Sequence, residues 1–229
     1  MPILKPDKEY TGRATIRMYN CDCMELMRSG KTWDLAIVDP PYGVGCAKTI
    51  NIKNEKRGFS GNTLHESKEW DDKIPNKEYF NKLLLVSNNQ IIWGGNYFTE
   101  HLKPVKAWIF WDKKESKNQG SNFSDGELAW TSFNKVTKYY KYGWIGIDYC
   151  NKPEIKNHPT QKPIQLYKWL LTNYAKPGDT ILDTHGGSLS IAIACWDLGF
   201  DLDVCELDKD YFDAAVKRFE NHIAQQALF

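Results

Sequence analysis

Several familiar features are missing from this 229-residue chain, and each absence excludes a class of protein. No run approaches the roughly 18 consecutive apolar residues of a membrane span. Met1 to Lys8 is charged and proline-containing, with no apolar stretch to act as a secretory signal. The six cysteines (Cys21, Cys23, Cys46, Cys150, Cys195 and Cys205) contain no CxxC pair. Cys21 and Cys23 form a CxC without the second pair that a structural zinc site uses. There is no internal repeat, no low-complexity tract and no GxGxxG fingerprint. What remains is a soluble, intracellular, cytoplasmic protein with reduced thiols and no metal, long enough for one substantial core.

Net charge is also nearly absent, at +1, but its distribution is uneven. From Asp179 to Phe229 ten acids face Lys209, Lys217 and Arg218, a local balance of −7. Gly43 to Lys68, His101 to Gln119 and Lys135 to Lys156 each carry five basic residues against two acids. Taken singly, such runs are ordinary solvated surface. Three of them, interleaved with Trp108, Trp111, Tyr139, Tyr140, Tyr142 and Trp144, fit a side that faces nucleic acid.

Hydrophobic periodicity alternates between strand and helix. Ile16 to Asn20 reads as a strand, Asp22 as the cap of a short helix, and Leu35 to Val38 as a buried strand. Asn76 opens a helix with Tyr79, Phe80, Leu83, Leu84 and Val86 on its apolar face. Gln90 to Trp93 and Trp108 to Trp111 are strands, and Glu127 to Thr131 with Val136 to Tyr140 reads as a hairpin-like pair. The expected sheet is therefore mixed and mostly parallel. Ile164 to Tyr174 is helical, with Pro163 expected at the first position. Thr180 to Asp183, the helix ending at Gly199, Leu202 to Cys205 and a final helix capped by Asp208 complete the chain.

Two constellations carry chemistry. The first is Asp39-Pro40-Pro41-Tyr42, where the apolar strand stops at a carboxylate followed by two residues of fixed φ and a ring. It presents Asp39, the Pro40 carbonyl and Tyr42 in a rigid turn; ordinary turn chemistry is the plain alternative. The second runs strand, glycine turn (His185-Gly186-Gly187-Ser188), helix, strand and acid (Glu206), the layout of a nucleotide-binding βαβ unit. Acids dominate that edge: Asp183, Asp203, Glu206 and Asp208. They repel a pyrophosphate and favour a ligand carrying an amine and a sulfonium, as S-adenosylmethionine does.

Together with Asn157 to Pro163 (Asn-His-Pro-Thr-Gln-Lys-Pro), these motifs resemble the beta group of DNA amino methyltransferases, in which the catalytic motif precedes the cofactor motif. The resemblance covers about Tyr19 to Phe219. It implies a Rossmann-like α/β methyltransferase fold in a single domain, with 43–69 and 113–157 as inserted loops or small DNA-recognition elements. Asp39, Pro40, Pro41 and Tyr42 would be catalytic. Asp22, Asp39, Thr160, Lys162, Asp183, His185, Gly187, Ser188, Glu206 and Leu207 would hold S-adenosylmethionine. Asp-Pro-Pro-Tyr resembles adenine-N6 enzymes more than cytosine-N4 ones, so the implied reaction is methylation of adenine flipped out of duplex DNA, of the kind found in restriction-modification, by a bacterial or phage enzyme that pairs into homodimers. The chain departs from the family at Thr184, His185 and Leu189, where Pro, Phe and Gly are usual. A cytosine-N4 enzyme, an RNA or protein amide methyltransferase, and a non-catalytic nucleic-acid-binding subunit are the alternatives.

Overall fold

The computed structural model describes residues 4–44, 73–114, 124–144, 154 and 160–226. The lysine-rich stretch 45–69, the segments 115–123, 145–153 and 155–159, and with them Cys46 and Cys150, lie outside the described residues.

The chain begins with β1 (Lys8–Thr11) and β2 (Thr15–Tyr19), then α1 (Cys23–Met27) and β3 (Trp33–Val38). Helix α2 (Lys77–Val86) runs directly into β4 (Ser87–Trp93), which ends in a 3-10 turn, Gly95–Tyr97. Strands β5 (Trp108–Asp112), β6 (Gly126–Thr131) and β7 (Lys138–Lys141) follow, then α3 (Ile164–Tyr174), β8 (Ile181–Asp183), α4 (Ser190–Leu198), β9 (Leu202–Cys205) and α5 (Lys209–Gln226). Side chains placed the helix starts. Asp22 Oδ1 accepts the Met24 amide at 2.7 Å and Asn76 Oδ1 the Tyr79 amide at 3.1 Å, each satisfying a donor that the first helical turn leaves unpaired. Gly199, at φ +78°, closes α4 as expected of a left-handed cap.

Among the described residues the strands form one sheet, ordered β1-β2-β9-β8-β3-β4-β6-β5-β7. Its centre is parallel, with β8 pairing β3 through Leu35↔Ile181 and Ala36↔Leu182. From β3 the chain crosses through α2 to β4 on one side, and from β8 through α4 to β9 on the other. The strand order thus reverses between β3 and β8, and a crevice opens at their carboxyl ends. Asp39 and Asp183, 144 positions apart in sequence, both follow or close strands at this one switch point.

Alternation along β3 assigns its two faces. Leu35 and Ile37 join one buried cluster with α3, α4 and α5, through Leu166, Leu170, Ile191, Ile193, Phe212 and Phe219. Ala36 and Val38 join the other with α1 and α2, through Leu26, Met27, Phe80 and Leu83. Burial of both faces explains why β3 reads as a continuous apolar run.

Two expectations are corrected, and one strand was not expected. β6 and β7 do not pair with each other: β6 lies antiparallel between β4 and β5, and β7 adds to the far side of β5 in parallel. The reason is burial, since Ala129 and Trp130 of β6 are core residues while β7 is mostly exposed and suits an edge. Pro163 caps α3 from an extended conformation (φ −70°, ψ 146°) rather than occupying its first position. Finally, β1 gives no sign in the sequence: it is a polar edge strand held by antiparallel pairing with β2, and apolar alternation is not needed there.

Candidate active site

A cavity of about 350 Å³ occupies the crevice at the carboxyl ends of β3 and β8. Asp22, Asp39, Pro41, Thr160, Lys162, His185, Gly187, Ser188, Glu206 and Leu207 line it, so ten of the residues expected from sequence converge from five separate segments. Asp183, Pro40 and Tyr42 are not in the lining. Asp183 is 1% exposed and braces the wall from behind, its Oδ1 accepting the His185 amide at 3.0 Å. Burial pushes its carboxyl up to about 8.

The glycine turn is held at both ends. Glu206 Oε2 accepts the Gly187 amide and Oε1 the Asp208 amide, each at 2.8 Å. Two charge-assisted bonds fix the carboxylate while leaving each oxygen a further lone pair. Gly186 is closely packed: a Cβ there would meet Val204 Cγ2 at 2.8 Å and Leu189 Cδ2 at 2.9 Å, so a side chain would require those neighbours to shift. From behind, Arg218 on α5 donates to the Ser188 carbonyl at 2.7 Å and pairs with Glu154 at 3.1 Å.

The three departures from the expected turn each have a physical account. Leu189 has φ +56°, making it the one described non-glycine residue in the left-handed region, where glycine is at home. Its side chain is 1% exposed in the core, and that burial offsets the backbone cost of roughly 1–2 kcal/mol. Thr184 Oγ1 is 2.7 Å from the Tyr79 hydroxyl and 2.9 Å from His185 Nδ1. His185 also meets the Tyr79 ring edge-on at 5.5 Å. Burial lowers its pKa to about 4, so a neutral imidazole faces the cavity.

At the other end, both Asp39 oxygens are engaged. Tyr42 donates its hydroxyl to Oδ1 at 2.6 Å, and Lys162 Nζ lies 2.5 Å from Oδ2. Burial raises the Asp39 pKa, and the Lys162 ammonium opposes that shift. Burial alone would lower Lys162, but the Asp39 and Glu127 carboxylates outweigh it and the lysine is raised. Tyr42 stacks on Tyr97 with ring centroids 5.1 Å apart at 16°. Phe98 meets Tyr42 edge-on and is itself wholly buried.

Sequence reasoning missed Tyr79, Gln161, Tyr167 and Tyr211 in the lining and Glu127 beside Lys162. Tyr79 sits on the apolar face of α2 and reads as core until its hydroxyl is seen against Thr184. The signal for Glu127 is an acid at the start of an otherwise apolar strand.

The chemistry of these donors suits S-adenosylmethionine. Asp22, Asp39 and Glu206 make the walls acidic, Tyr79, His185 and Tyr211 offer apolar faces, and the volume lies in the range of small-molecule sites. The profile of the DNA methylase family matches residues 33–217, most of the chain, and the chain belongs to that family. Family membership makes S-adenosylmethionine-dependent DNA methylation its activity.

Among curated relatives, the type II methyltransferase M.HpaI of Haemophilus parainfluenzae is 25% identical over 223 residues, covering 82% of this chain and 68% of that protein. M2.DpnII of Streptococcus pneumoniae is 25% identical over 195 residues, covering 85% and 62%. Among solved structures, the M1.HpyAVI complex with S-adenosylmethionine superposes with a TM-score of 0.57 at 20% identity, covering 89% of this chain and 99% of that one. The cytosine-N4-specific PvuII DNA methyltransferase gives 0.56 at 14% identity, covering 89% and 86%. These two likenesses establish the Rossmann-like methyltransferase fold.

Proposed function

We propose that the chain methylates the exocyclic amino group of adenine, extruded from duplex DNA into the crevice, in the manner of the beta group. The observation that carries this reading is Asp39 at the cavity wall, with Tyr42 on one carboxylate oxygen and Lys162 on the other. When bound, S-adenosylmethionine supplies an electrophilic methyl group. The adenine amino nitrogen is a poor nucleophile because its lone pair is delocalised into the ring. Asp39 and the Pro40 carbonyl accept its two N–H bonds, favouring a pyramidal nitrogen with an available lone pair. Lys162 and Tyr42 hold the carboxylate in place beforehand, so little reorganisation is needed as positive charge develops on the nitrogen. The proton the nitrogen releases has an acceptor at Asp39.

In this reading Glu206 takes the cofactor's ribose hydroxyls, Asp22 its adenine side, and Thr160 its methionine side. His185, Gly187, Ser188 and Leu207 supply the surrounding wall, and Asp183 supports the turn through His185. An extruded base costs a few kcal/mol to unstack, and stacking on an aromatic ring returns about 1–3 kcal/mol. Tyr42 is already stacked on Tyr97, which is 46% exposed, so the pair offers its outer ring to the base.

Asp39→Ala is the test. Transfer of tritiated methyl groups to DNA is expected to fall by at least about 10²–10³-fold, with cofactor affinity nearly unchanged. Transfer at near the wild-type rate overturns the reading. A second reading, cytosine-N4 methylation, draws on the likeness to the PvuII enzyme. Mass spectrometry of nucleosides from methylated DNA separates the two.

A further inference from the structure

Four charged side chains form a chain of contacts that starts at the cavity wall. Lys162 Nζ is 2.5 Å from Asp39 Oδ2 and 3.0 Å from Glu127 Oε2, and Glu127 Oε1 is 2.9 Å from Lys113 Nζ. The Lys162 side chain is 4% exposed, with its ammonium 5.3 Å from the Trp93 ring and 5.7 Å from that of Tyr42. An ammonium so placed is tolerated only with its carboxylates in position.

The two ends of this chain of contacts come from different kinds of element. Asp39 and Lys162 come from loops, one after β3 and one before α3. Glu127 is a sheet residue, paired with Trp111 of β5, and the Lys113 amide donates to the Asp125 carbonyl at 2.9 Å in the same ladder. Lysine has a flexible four-carbon stem, and one carboxylate would leave its ammonium free to swing. A second carboxylate, supplied by the sheet, pins it and shares its charge, so Asp39 is not simply neutralised. Lys113 balances Glu127 in turn.

We propose that Glu127, backed by Lys113, is a positioning residue for methyl transfer, anchoring the Lys162 ammonium to the sheet so that Asp39 is held toward the target amino group. The inference rests on the reading of Asp39 as the acceptor. Asp39 is faced by Lys162, Glu127 and Tyr42, with Tyr167 and Asp183 nearby. Glu127 is faced by Lys162, Lys113 and the Tyr42 hydroxyl at 3.5 Å. The negative charge on Glu127 raises both Asp39 and Lys162, so its removal moves both ionisations to lower pH.

Glu127→Gln tests this in the full chain, using tritiated methyl transfer to PCR-amplified DNA from pH 5 to 10, with calorimetric titration of S-adenosylmethionine alongside. The expected result is a kcat about 10–100-fold lower, cofactor affinity within about twofold, and both limbs of the kcat profile displaced toward acid, with Glu127→Asp restoring them in part. Combined with Lys162→Met, Glu127→Gln should add no further loss, since the two act as a unit. An unmoved pH profile, a uniform loss accompanied by weakened cofactor binding, or additive losses each overturn the proposal. If Glu127→Gln fails to fold, Lys113→Met reads the same contacts: it leaves the Glu127 charge unbalanced and should move the acid limb upward, and an unmoved limb overturns the proposal equally. Inactive Asp39→Ala beside unaltered Glu127→Gln refutes only the role of Glu127, whereas active Asp39→Ala refutes the underlying reading.

Discussion

Glu206 Oε2 accepts the Gly187 amide at 2.8 Å, which makes the acid after β9 and the glycine turn after β8 one rigid unit. Its other oxygen holds the Asp208 amide, so the same carboxylate also fixes the approach to α5. Removing it frees two amides and the acceptors assigned to the ribose. Hydrogen bonds to a charged group contribute about 1.5–3 kcal/mol each. Glu206→Ala is therefore expected to raise the S-adenosylmethionine Kd by roughly 10–100-fold, read by calorimetric titration; an unchanged Kd would falsify the assignment.

Gly94 makes a prediction about the turn from Asp39 to Tyr42. It sits at φ +68°, and a Cβ there would lie 2.2 Å from the Tyr42 ring. Gly94→Ala combines a left-handed backbone with displacement of Tyr42, whose hydroxyl holds Asp39. A loss of about 1–3 kcal/mol in stability is expected from the backbone alone, together with a fall in kcat exceeding that of a Tyr42→Phe control. Thermal melting and the transfer assay measure the two effects.

The pH dependence of stability follows from the buried turn. Asp183 is raised to about 8 by burial, so the folded state holds its proton more tightly than the unfolded chain does. Its contribution is complete below the unfolded value near 3.8 and is lost as pH rises through about 8. His185, lowered to about 4 by burial, runs the other way, with a contribution present above 6.5 that is lost as pH falls toward 4. Between pH 6.5 and 8 Asp183 acts alone of the two. Asp183→Asn keeps an acceptor for the His185 amide and should flatten the fall of Tm across that interval, by a few degrees at pH 8. A wild-type slope in the variant contradicts this.

DNA affinity should depend on salt through exposed lysines. Lys138 and Lys141 are exposed on the edge strand β7, within one of the basic runs. If this edge meets phosphate, Lys138→Ala with Lys141→Ala lowers the slope of log affinity against log salt by about one to two. An unchanged slope places the DNA elsewhere.

Much of this enzyme was legible in the order of its residues. The apolar run Leu35 to Val38 and its stop at Asp39, the caps at Asp22 and Asn76, and the strand-glycine-helix-strand-acid series ending at Glu206 all follow from local sterics and burial, which act over a few residues. The acids that line the cavity, Asp22, Asp39 and Glu206, were legible as well. Other features depend on contacts between distant segments. Nothing local predicts that β6 inserts between β4 and β5, because that choice is made by the burial of Ala129 and Trp130 against other strands. Leu189 in a left-handed conformation is tolerable only because its side chain finds the core. Lys162 reads from sequence as a loop residue beside the cofactor; only packing of the loop before α3 against β3 and β6 sets its ammonium between Asp39 and Glu127. The chemical groups were determined by sequence. Their mutual distances came from the tertiary structure, because parallel pairing of β3 with β8 brings together segments separated by more than half the chain.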